Sequence, residues 1–323
     1  MDTEKQFALV SGVLCTYRNT KDKMSNPINL DEIEFKLATM RSEQVMSLIA
    51  AGQYGKAVEL GLSILDTPAY LYLKRCLITQ DPVMLNLFLD VAILYTYTFN
   101  EKPPILITGE SGTGKETFAR AFAQGSSTTN VKFPFVGINC TSLPDYLVES
   151  ELFGHKKGSF TGAVDDRAGL LQSAGHGVVL IDEIGDMPLA LQPKLLRTLQ
   201  ERTIRRVGSN EEVPIYCRVV CATHRDLQDR VNKNKFREDL LWRITQFTLD
   251  IPPLRNRRED ALLYINTRTG DLTSEARQKL CDTVNALDNL IGGNYRELQA
   301  MINTARLDMW RTEVKKSFPQ SVK

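Results

Sequence analysis

The sequence has almost no excess of either charge and few histidines. Its 323 residues include 40 Lys and Arg against 39 Asp and Glu, a formal net charge of +1. Proteins that hold nucleic acid mainly through phosphate contacts usually carry a basic excess or a basic face, and the chain has no such excess. The 3 histidines have no carboxylate or cysteine at ligand spacing. We therefore expect no metal held by protein side chains alone.

Long apolar runs and paired cysteines are missing too. The most apolar stretch, residues 84–99, contains Asn86 and Asp90 and is short for a bilayer span of about 20 residues. Asp81 before Pro82 indicates the start of a helix, so we predict a buried helix and no membrane partner. None of the 6 cysteines forms a Cys-x-x-Cys pair. This is typical of free thiols in a reducing cytoplasm, where we expect the protein to reside.

The chain divides into segments of different character. Residues 1–80 show helical periodicity without recognisable chemistry, and we predict a helical N-terminal extension that could be regulatory. Residues 81–253 alternate short β-rich runs with helical patterns, which indicates an α/β layer fold with a parallel sheet. Residues 254–311 are predicted to form a helical lid and residues 312–323 a flexible tail. The predicted strands are 105–108, 135–139, 177–182, 216–223 and 247–251.

The first predicted strand leads into a glycine-rich loop, and a helix follows. In such a loop successive backbone N–H groups can face an anion, and the start of the helix adds positive potential. Lys115 is placed to reach the β- and γ-phosphates of a nucleotide. The strict pattern has Ser or Thr after this lysine, where this chain has Glu116. The residues predicted to bind the nucleotide are Gly109, Glu110, Ser111, Gly112, Thr113, Gly114, Lys115 and Glu116.

Two carboxylates stand at the end of the strand predicted at 177–182. A continuous apolar run is typical of a central parallel strand, and its carboxyl end faces the crevice where such sheets bind ligands. Asp182 is suited to orient Mg²⁺ through its waters, and Glu183 is suited to polarise an attacking water. The simpler alternative is a pair of residues that caps the turn after the strand.

Between these two motifs lies the hexapeptide GSFTGA, preceded by ESELFGHKK. Together with GESGTGKE in the glycine-rich loop, it resembles the signature of bacterial enhancer-binding proteins, the AAA+ ATPases that activate transcription by RNA polymerase carrying sigma-54. GAFTGA is the most frequent hexapeptide of that family, and GKE is common in its phosphate loop. On its own the hexapeptide would also fit the tip of a β-hairpin, with two glycines that let Phe160 and Thr161 project outward. The resemblance implies that the sigma factor is contacted by Gly158, Ser159, Phe160, Thr161, Gly162 and Ala163.

Five further residues match the family one by one. By this resemblance, Asn139 holds the catalytic glutamate until the γ-phosphate is sensed. Thr223 resembles the first sensor and Arg296 the second. Arg237 and Arg243 resemble the arginine fingers that act on the nucleotide of a neighbouring subunit.

Other positions leave an alternative open or depart from the family pattern. Arg237 and Arg243 are six residues apart and point in different directions on a helix, so they could instead be surface arginines paired with adjacent carboxylates. The residue after the first sensor is more often Asn in the family and is His224 here. Arg257 and Arg258, at the passage into the lid, are predicted to form a solvated face.

The resemblance covers about residues 80–310 and implies a P-loop AAA+ fold, a three-layer αβα sandwich with a parallel sheet and a small helical lid. It implies a homo-oligomeric ring, a hexamer, that hydrolyses ATP with Mg²⁺ and remodels the closed complex of the sigma-54 RNA polymerase holoenzyme. After Leu298 too few residues remain for the helix-turn-helix of most members, so we expect no DNA-binding module of its own. The alternatives are a nucleotide-binding regulatory protein with weak or no motor activity, and an AAA+ remodeller with another client.

Overall fold

The computed structural model describes residues 67–97, 102–125, 133–286 and 293–317. Most of the predicted N-terminal extension therefore lies outside the described residues. The strands are β1 (Ile105–Thr108), β2 (Phe135–Asn139), β3 (Gly154–His155), β4 (Arg167–Ala168), β5 (Val178–Asp182), β6 (Thr203–Arg205), β7 (Glu212–Pro214), β8 (Arg218–Thr223) and β9 (Thr248–Asp250). The helices are α1 (Pro68–Cys76), α2 (Pro82–Tyr97), α3 (Lys115–Ala121), α4 (Asp145–Phe153), α5 (Leu170–Ser173), α6 (Gln192–Glu201), α7 (Leu227–Asn232), α8 (Glu238–Ile244), α9 (Arg258–Arg268), α10 (Ser274–Ala286) and α11 (Asn294–Ser317).

Five parallel strands form the central sheet, in the order β2-β5-β8-β1-β9. All five lie where the sequence predicts strands, and the apolar runs of β1, β5 and β8 are buried between two layers of helices. The register places Asn139 opposite Asp182, and Asp182 opposite Ala222. Thr108 lies opposite Thr223. The carboxyl end of the sheet therefore brings the predicted site residues side by side.

Helices α1, α2 and α3 cover one face of the sheet. The cap predicted for α2 is present, since Asp81 Oδ1 accepts a hydrogen bond from the backbone N–H of Met84 at 3.0 Å. The ring of Phe88 in α2 packs between Tyr70 of α1 and Phe118 of α3, with ring centres 6.4 and 5.8 Å away. Helix α1 thus shares the core of the α/β domain, although it precedes the boundary predicted at residue 80.

Helices α4, α5, α6 and α8 cover the opposite face, so the sheet lies between two helical layers. The predicted three-layer α/β fold is confirmed. Two antiparallel ribbons, β3 with β4 and β6 with β7, lie beside this layer. Backbone hydrogen bonds of 2.9 Å from Lys156 N to Val207 O and from Val207 N to Gly154 O join the two ribbons.

After β9 the chain forms a helical lid with its own core. The core is formed by apolar residues of α9, α10 and α11 and of the preceding 3-10 turn, Leu254–Asn256. Helix α11 continues to Ser317 and so extends into segment 312–323, which was predicted to be a flexible tail. Among the described helices, none has both the length and the apolar character needed to cross a membrane.

A buried ion pair joins the lid to the connection between α1 and α2. Arg257 donates to Asp260 Oδ2 at 3.1 Å, and both side chains are at most 1% exposed. The Asp260 carboxylate also accepts hydrogen bonds from Thr79 Oγ1 at 2.6 Å and from the backbone N–H of Gln80 at 3.0 Å. The prediction of a solvated face is therefore wrong for Arg257, whose charge is neutralised inside the protein, while Arg258 is exposed.

Candidate functional site

The glycine-rich loop between β1 and α3 surrounds the ammonium group of Lys115. Gly109, Gly112 and Gly114 have φ angles of +147°, +79° and +104°, which side chains with a Cβ rarely adopt. Lys115 Nζ donates to the carbonyl oxygens of Gly109 at 2.7 Å and Glu110 at 3.0 Å. The Lys115 side chain is buried. Its ammonium group donates to carbonyl oxygens of the loop, and a bound anion would replace these oxygens as the acceptor.

Asp182 and Glu183 stand beside Lys115 at the end of β5. Burial, followed by the charge of Glu183, raises the pKa of Asp182, and Lys115 acts in the opposite direction. Burial lowers the pKa of Lys115, while both carboxylates oppose that effect. Glu183 has φ +53° and ψ +48° and its side chain does not cap the turn that follows, which argues against the simple capping alternative. The two adjacent carboxylates carry more negative charge than one lysine neutralises. Carboxylate oxygens are ligands that Mg²⁺ prefers, so this pair fits a hydrated Mg²⁺.

Glu183 contacts His224, and Asn139 contacts Asp182. Glu183 Oε2 lies 2.7 Å from His224 Nδ1 and also accepts the backbone N–H of His224 at 3.3 Å. Asn139 Nδ2 donates to Asp182 Oδ2 at 3.3 Å, and its Oδ1 accepts from N and Oγ1 of Thr141 at 2.8 and 2.7 Å. The contact predicted between Asn139 and Glu183 is not made in this structure, because the sheet register sets Asn139 directly opposite Asp182.

Thr223, the predicted first sensor, is fully buried at the end of β8. Its Oγ1 accepts the backbone N–H of Arg225 at 3.0 Å. It lies between the strand that enters the glycine-rich loop and the strand that ends in the acidic pair. The contact of the next residue, His224, with Glu183 was not predicted from the sequence. The available signal was its place directly after Thr223, at the end of the strand adjacent to the one that ends before Glu183.

The first residues of α11 contact the glycine-rich loop directly. Arg296, the predicted second sensor, donates from Nη1 to Ser111 Oγ at 3.0 Å. Asn294 Nδ2 donates to Ser111 O at 3.0 Å, and the backbone N–H of Tyr295 donates to Gly112 O at 3.1 Å. The lid is therefore part of the site.

The two glutamates of the loop motif have different partners. Glu110 forms a two-point ion pair with Arg255, with both N–O distances 2.6 Å, and Asn294 also donates to it at 3.3 Å. Hydrogen bonds from Arg255 lower the pKa of Glu110. Glu116 pairs with Arg120 one helical turn along the surface of α3 at 2.6 Å. Sequence reasoning did not identify Arg255 or Asn294, whose partners are distant along the chain.

The two predicted arginine fingers lie at opposite ends of α8 and have different surroundings. Arg237 precedes the helix, and its exposed guanidinium pairs with Asp239 at 2.6 Å. This surface pair is the one suggested as the alternative. Arg243, in the last turn, donates to the carbonyl oxygen of Leu199 in α6 at 2.8 Å. Trp242, on the same helix, is 71% exposed.

The GSFTGA hexapeptide lies in the loop between β3 and β4. Gly158 and Gly162 have φ angles of +79° and +101°, so glycine is required at both turns. Thr161 is exposed. The ring of Phe160 is partly buried and packs edge-on against His155 with ring centres 5.0 Å apart. This differs from the predicted outward projection of Phe160, because edge-to-face packing removes part of the ring from water.

Backbone hydrogen bonds close this loop on itself. The N–H of Gly158 donates to Ala163 O at 2.8 Å, and the N–H of Ala163 donates to Phe160 O at 3.0 Å. Ala163 is buried and Ser159 partly buried. Thr161 is therefore presented on a loop with a defined shape.

A glycine-rich phosphate loop, an acidic strand end and a helical lid on a parallel sheet define a P-loop α/β protein of the AAA+ type. The sigma-54 interaction domain matches residues 77–250, more than half of the chain. The chain therefore belongs to the family that carries the sigma-54 interaction domain.

Named relatives agree with this assignment, and a solved structure agrees with the fold. The chain is 43% identical to the regulatory protein AtoC of Escherichia coli over 234 residues, which cover 71% of this chain and 50% of AtoC. It is 44% identical to the response regulator protein PilR of Pseudomonas aeruginosa over 207 residues, 62% of this chain and 46% of PilR. The chain thus spans about half the length of these curated relatives. NtrX from Brucella abortus in complex with ATP superposes with a TM-score of 0.55 at 24% identity, over 87% of this chain and 60% of NtrX, a likeness of fold.

Proposed function

We propose that this chain hydrolyses ATP in a ring of its own copies, a hexamer, and uses the GSFTGA loop to remodel the closed complex of sigma-54 RNA polymerase. The observation that carries the proposal is the convergence of Lys115, Asp182 and Glu183 at the carboxyl end of the sheet, in a chain with a sigma-54 interaction domain. The ATP complex of NtrX supports a nucleotide site in this fold.

Each residue of the site has a distinct role in this proposal. Lys115 neutralises the β- and γ-phosphates, and the loop N–H groups surround them. Asp182 holds a hydrated Mg²⁺, which supplies charge neutralisation at the phosphates when bound. Glu183 accepts a proton from the attacking water. Thr223, at the end of β8, and Arg296, near the start of α11, sense the γ-phosphate in this proposal.

A neighbouring subunit completes the site in this proposal. Arg237 is exposed and Arg243 lies at the other end of the same helix. An arginine supplied by a neighbour can accelerate hydrolysis by about 10³–10⁵-fold. The exposed ring of Trp242 between them gives this helix an apolar surface that a second copy can cover.

The exposed side chain of Thr161 supports the GSFTGA loop as the contact with the sigma factor. A hydroxyl and methyl group on a loop closed by its own hydrogen bonds can bind a partner with little loss of conformational entropy. Because the client is RNA polymerase, we place this activity in the cytoplasm.

The test is complex formation with the polymerase in the presence of a transition-state analogue. Purified chain, sigma-54 holoenzyme and ADP–aluminium fluoride are expected to form a stable complex, and holoenzyme with another sigma factor is the control. ATPase activity per subunit is expected to rise with protein concentration. Nucleotide binding without turnover would support the regulatory protein without motor activity. Turnover without a sigma-54 complex would support a remodeller with another client.

A further inference from the structure

The carboxylate of Glu183 is held by a single neighbour. Its Oε2 lies 2.7 Å from His224 Nδ1 and accepts the backbone N–H of His224 at 3.3 Å. Within the described residues, Oε1 accepts no hydrogen bond. A glutamate side chain has several rotatable bonds, so a carboxylate without such a partner would sample many positions. The contact with His224 therefore selects one of them and leaves one oxygen open.

His224 is itself held in place by the sheet. It follows Thr223, the fully buried last residue of β8. Strand β8 pairs with β5 in parallel, with Ala222 opposite Asp182. Two paired backbones thus set the separation between the backbone of His224 and that of Glu183.

The neighbouring carboxylate of Asp186 does not compete with Glu183 for His224. Asp186, on the turn that follows Glu183, is paired with Arg225 at 3.2 Å and with Arg230. Its carboxylate is therefore satisfied by other partners. A carboxylate oxygen accepts hydrogen bonds, so the 2.7 Å contact requires a proton on Nδ1, which one neutral tautomer of His224 and its imidazolium form both carry.

We propose that His224 is a positioning residue that fixes Glu183 so that Oε1 alone is open to the attacking water. This inference rests on the proposed hydrolysis of ATP. In that step the water oxygen forms a bond to the γ-phosphorus, the bond from phosphorus to the ADP oxygen breaks and leaves its electron pair on ADP, and Oε1 takes one proton of the water while the other stays on the new phosphate oxygen. Asn139 donates to Asp182 and not to Glu183. His224 is therefore the residue that restrains the Glu183 carboxylate.

The test compares two replacements that differ in the donor. In Asn, Nδ2 is attached to Cγ as Nδ1 is in His, so His224→Asn can donate from nearly the same place. His224→Leu has similar size and no donor. We expect His224→Leu to lower kcat by about ten-fold or more with little change in KM for ATP, and His224→Asn to stay within about three-fold of wild type. His176→Leu is the matched control, because His176 is exposed and stacks on Tyr216.

Two further measurements separate positioning from a structural effect. In a Glu183→Gln background, His224→Leu should cause no further loss of kcat, because the two residues act as one unit. Nitrogen NMR of the imidazoles requires no turnover, and the Nδ1–H signal of His224 should shift in Glu183→Ala while that of His176 stays. An unshifted His224 signal would contradict the contact between His224 and Glu183. Equal losses of kcat in His224→Leu and His224→Asn would contradict the role of His224 as a hydrogen-bond donor. Wild-type protein that hydrolyses no ATP refutes the proposed function, and the positioning role with it, even where the NMR contact persists.

Discussion

Arg255 connects the start of the lid to the phosphate loop through a two-point ion pair with Glu110, both N–O distances being 2.6 Å. The geometry pairs two guanidinium N–H groups with two carboxylate oxygens. It also places the negative charge of Glu110 in the loop that is proposed to receive a triphosphate. Arg255 therefore neutralises a charge that would otherwise repel the nucleotide.

Arg255→Gln is expected to weaken ATP binding by about five-fold, because Glu110 is left without its counter-charge beside the phosphates. Thermal stability should change little, since both side chains are exposed. Calorimetric titration with ATP measures the effect. The double variant Glu110→Gln/Arg255→Gln should regain wild-type affinity, and failure to do so would assign Arg255 a role independent of Glu110.

Asp260→Ala is expected to lower the free energy of unfolding by about 3–5 kcal/mol, because it leaves the buried charge of Arg257 without a partner. It also removes the acceptor of the two hydrogen bonds from Thr79 and Gln80. Urea unfolding measures the loss. Asp271→Ala is the control, since Asp271 pairs with Arg306 on the surface and should change stability little. Similar losses in the two variants would contradict the buried pair.

Lys115→Ala is expected to abolish nucleotide binding, because no other cation stands inside the described loop. The fold should persist, since the substitution removes a buried charge. Isothermal titration with ATP measures binding, and circular dichroism measures folding. Arg120→Ala on the same helix, where Arg120 pairs with Glu116 on the surface, should bind as wild type does. Unchanged ATP affinity in Lys115→Ala would remove the phosphate role from this lysine.

Arg237→Ala is expected to lose ATP hydrolysis while keeping nucleotide affinity and melting temperature, because its side chain is exposed in the single chain. Arg243→Ala should also lose hydrolysis, with some loss of stability, because Arg243 donates to Leu199 O. Mixing Arg237→Ala with Lys115→Ala protomers should restore part of the activity, since some interfaces then combine an intact loop with an intact finger. No recovery at any ratio would place the action of Arg237 within its own subunit.

Thr161→Ala is expected to eliminate sigma-54 engagement and open-complex formation while ATP hydrolysis stays within a few-fold of wild type. Thr161 is exposed, and the backbone hydrogen bonds that close its loop join Gly158, Ala163 and Phe160, so the melting temperature should not change. ATPase rate, melting temperature and sigma-54-dependent transcript are measured on the same variant. Transcription at the wild-type level would show that this side chain is not the sigma contact.

The strands of the sheet were predictable because continuous apolar runs and glycine-rich turns are local signals. The acidic pair and Lys115 were placed correctly together, since the carboxyl ends of parallel strands meet at one edge. Contacts between distant residues left no such signal. Glu110 and Arg255 are 145 positions apart, and Thr79 and Asp260 are 181 apart.

The errors and omissions at single residues have physical causes. Arg257 was assigned to a solvated face because a sequence of charges does not reveal that Asp260 and the lid core enclose it. Phe160 packs on His155, a neighbour brought near by the turn of its own ribbon. The partner of Glu183 depends on sheet register, which sets Asn139 against Asp182 and leaves His224 beside the glutamate.

The hydrogen bonds from Asn294, Tyr295 and Arg296 to Ser111 and Gly112 have a thermodynamic consequence. Docking of the lid and occupancy of the loop are two equilibria that share the same atoms. Thermodynamic linkage makes the two effects reciprocal. If a bound nucleotide changes the equilibrium constant of lid docking by a given factor, lid docking changes the affinity for that nucleotide by the same factor. A partner that binds the lid far from the phosphates would therefore change the nucleotide affinity without entering the nucleotide site.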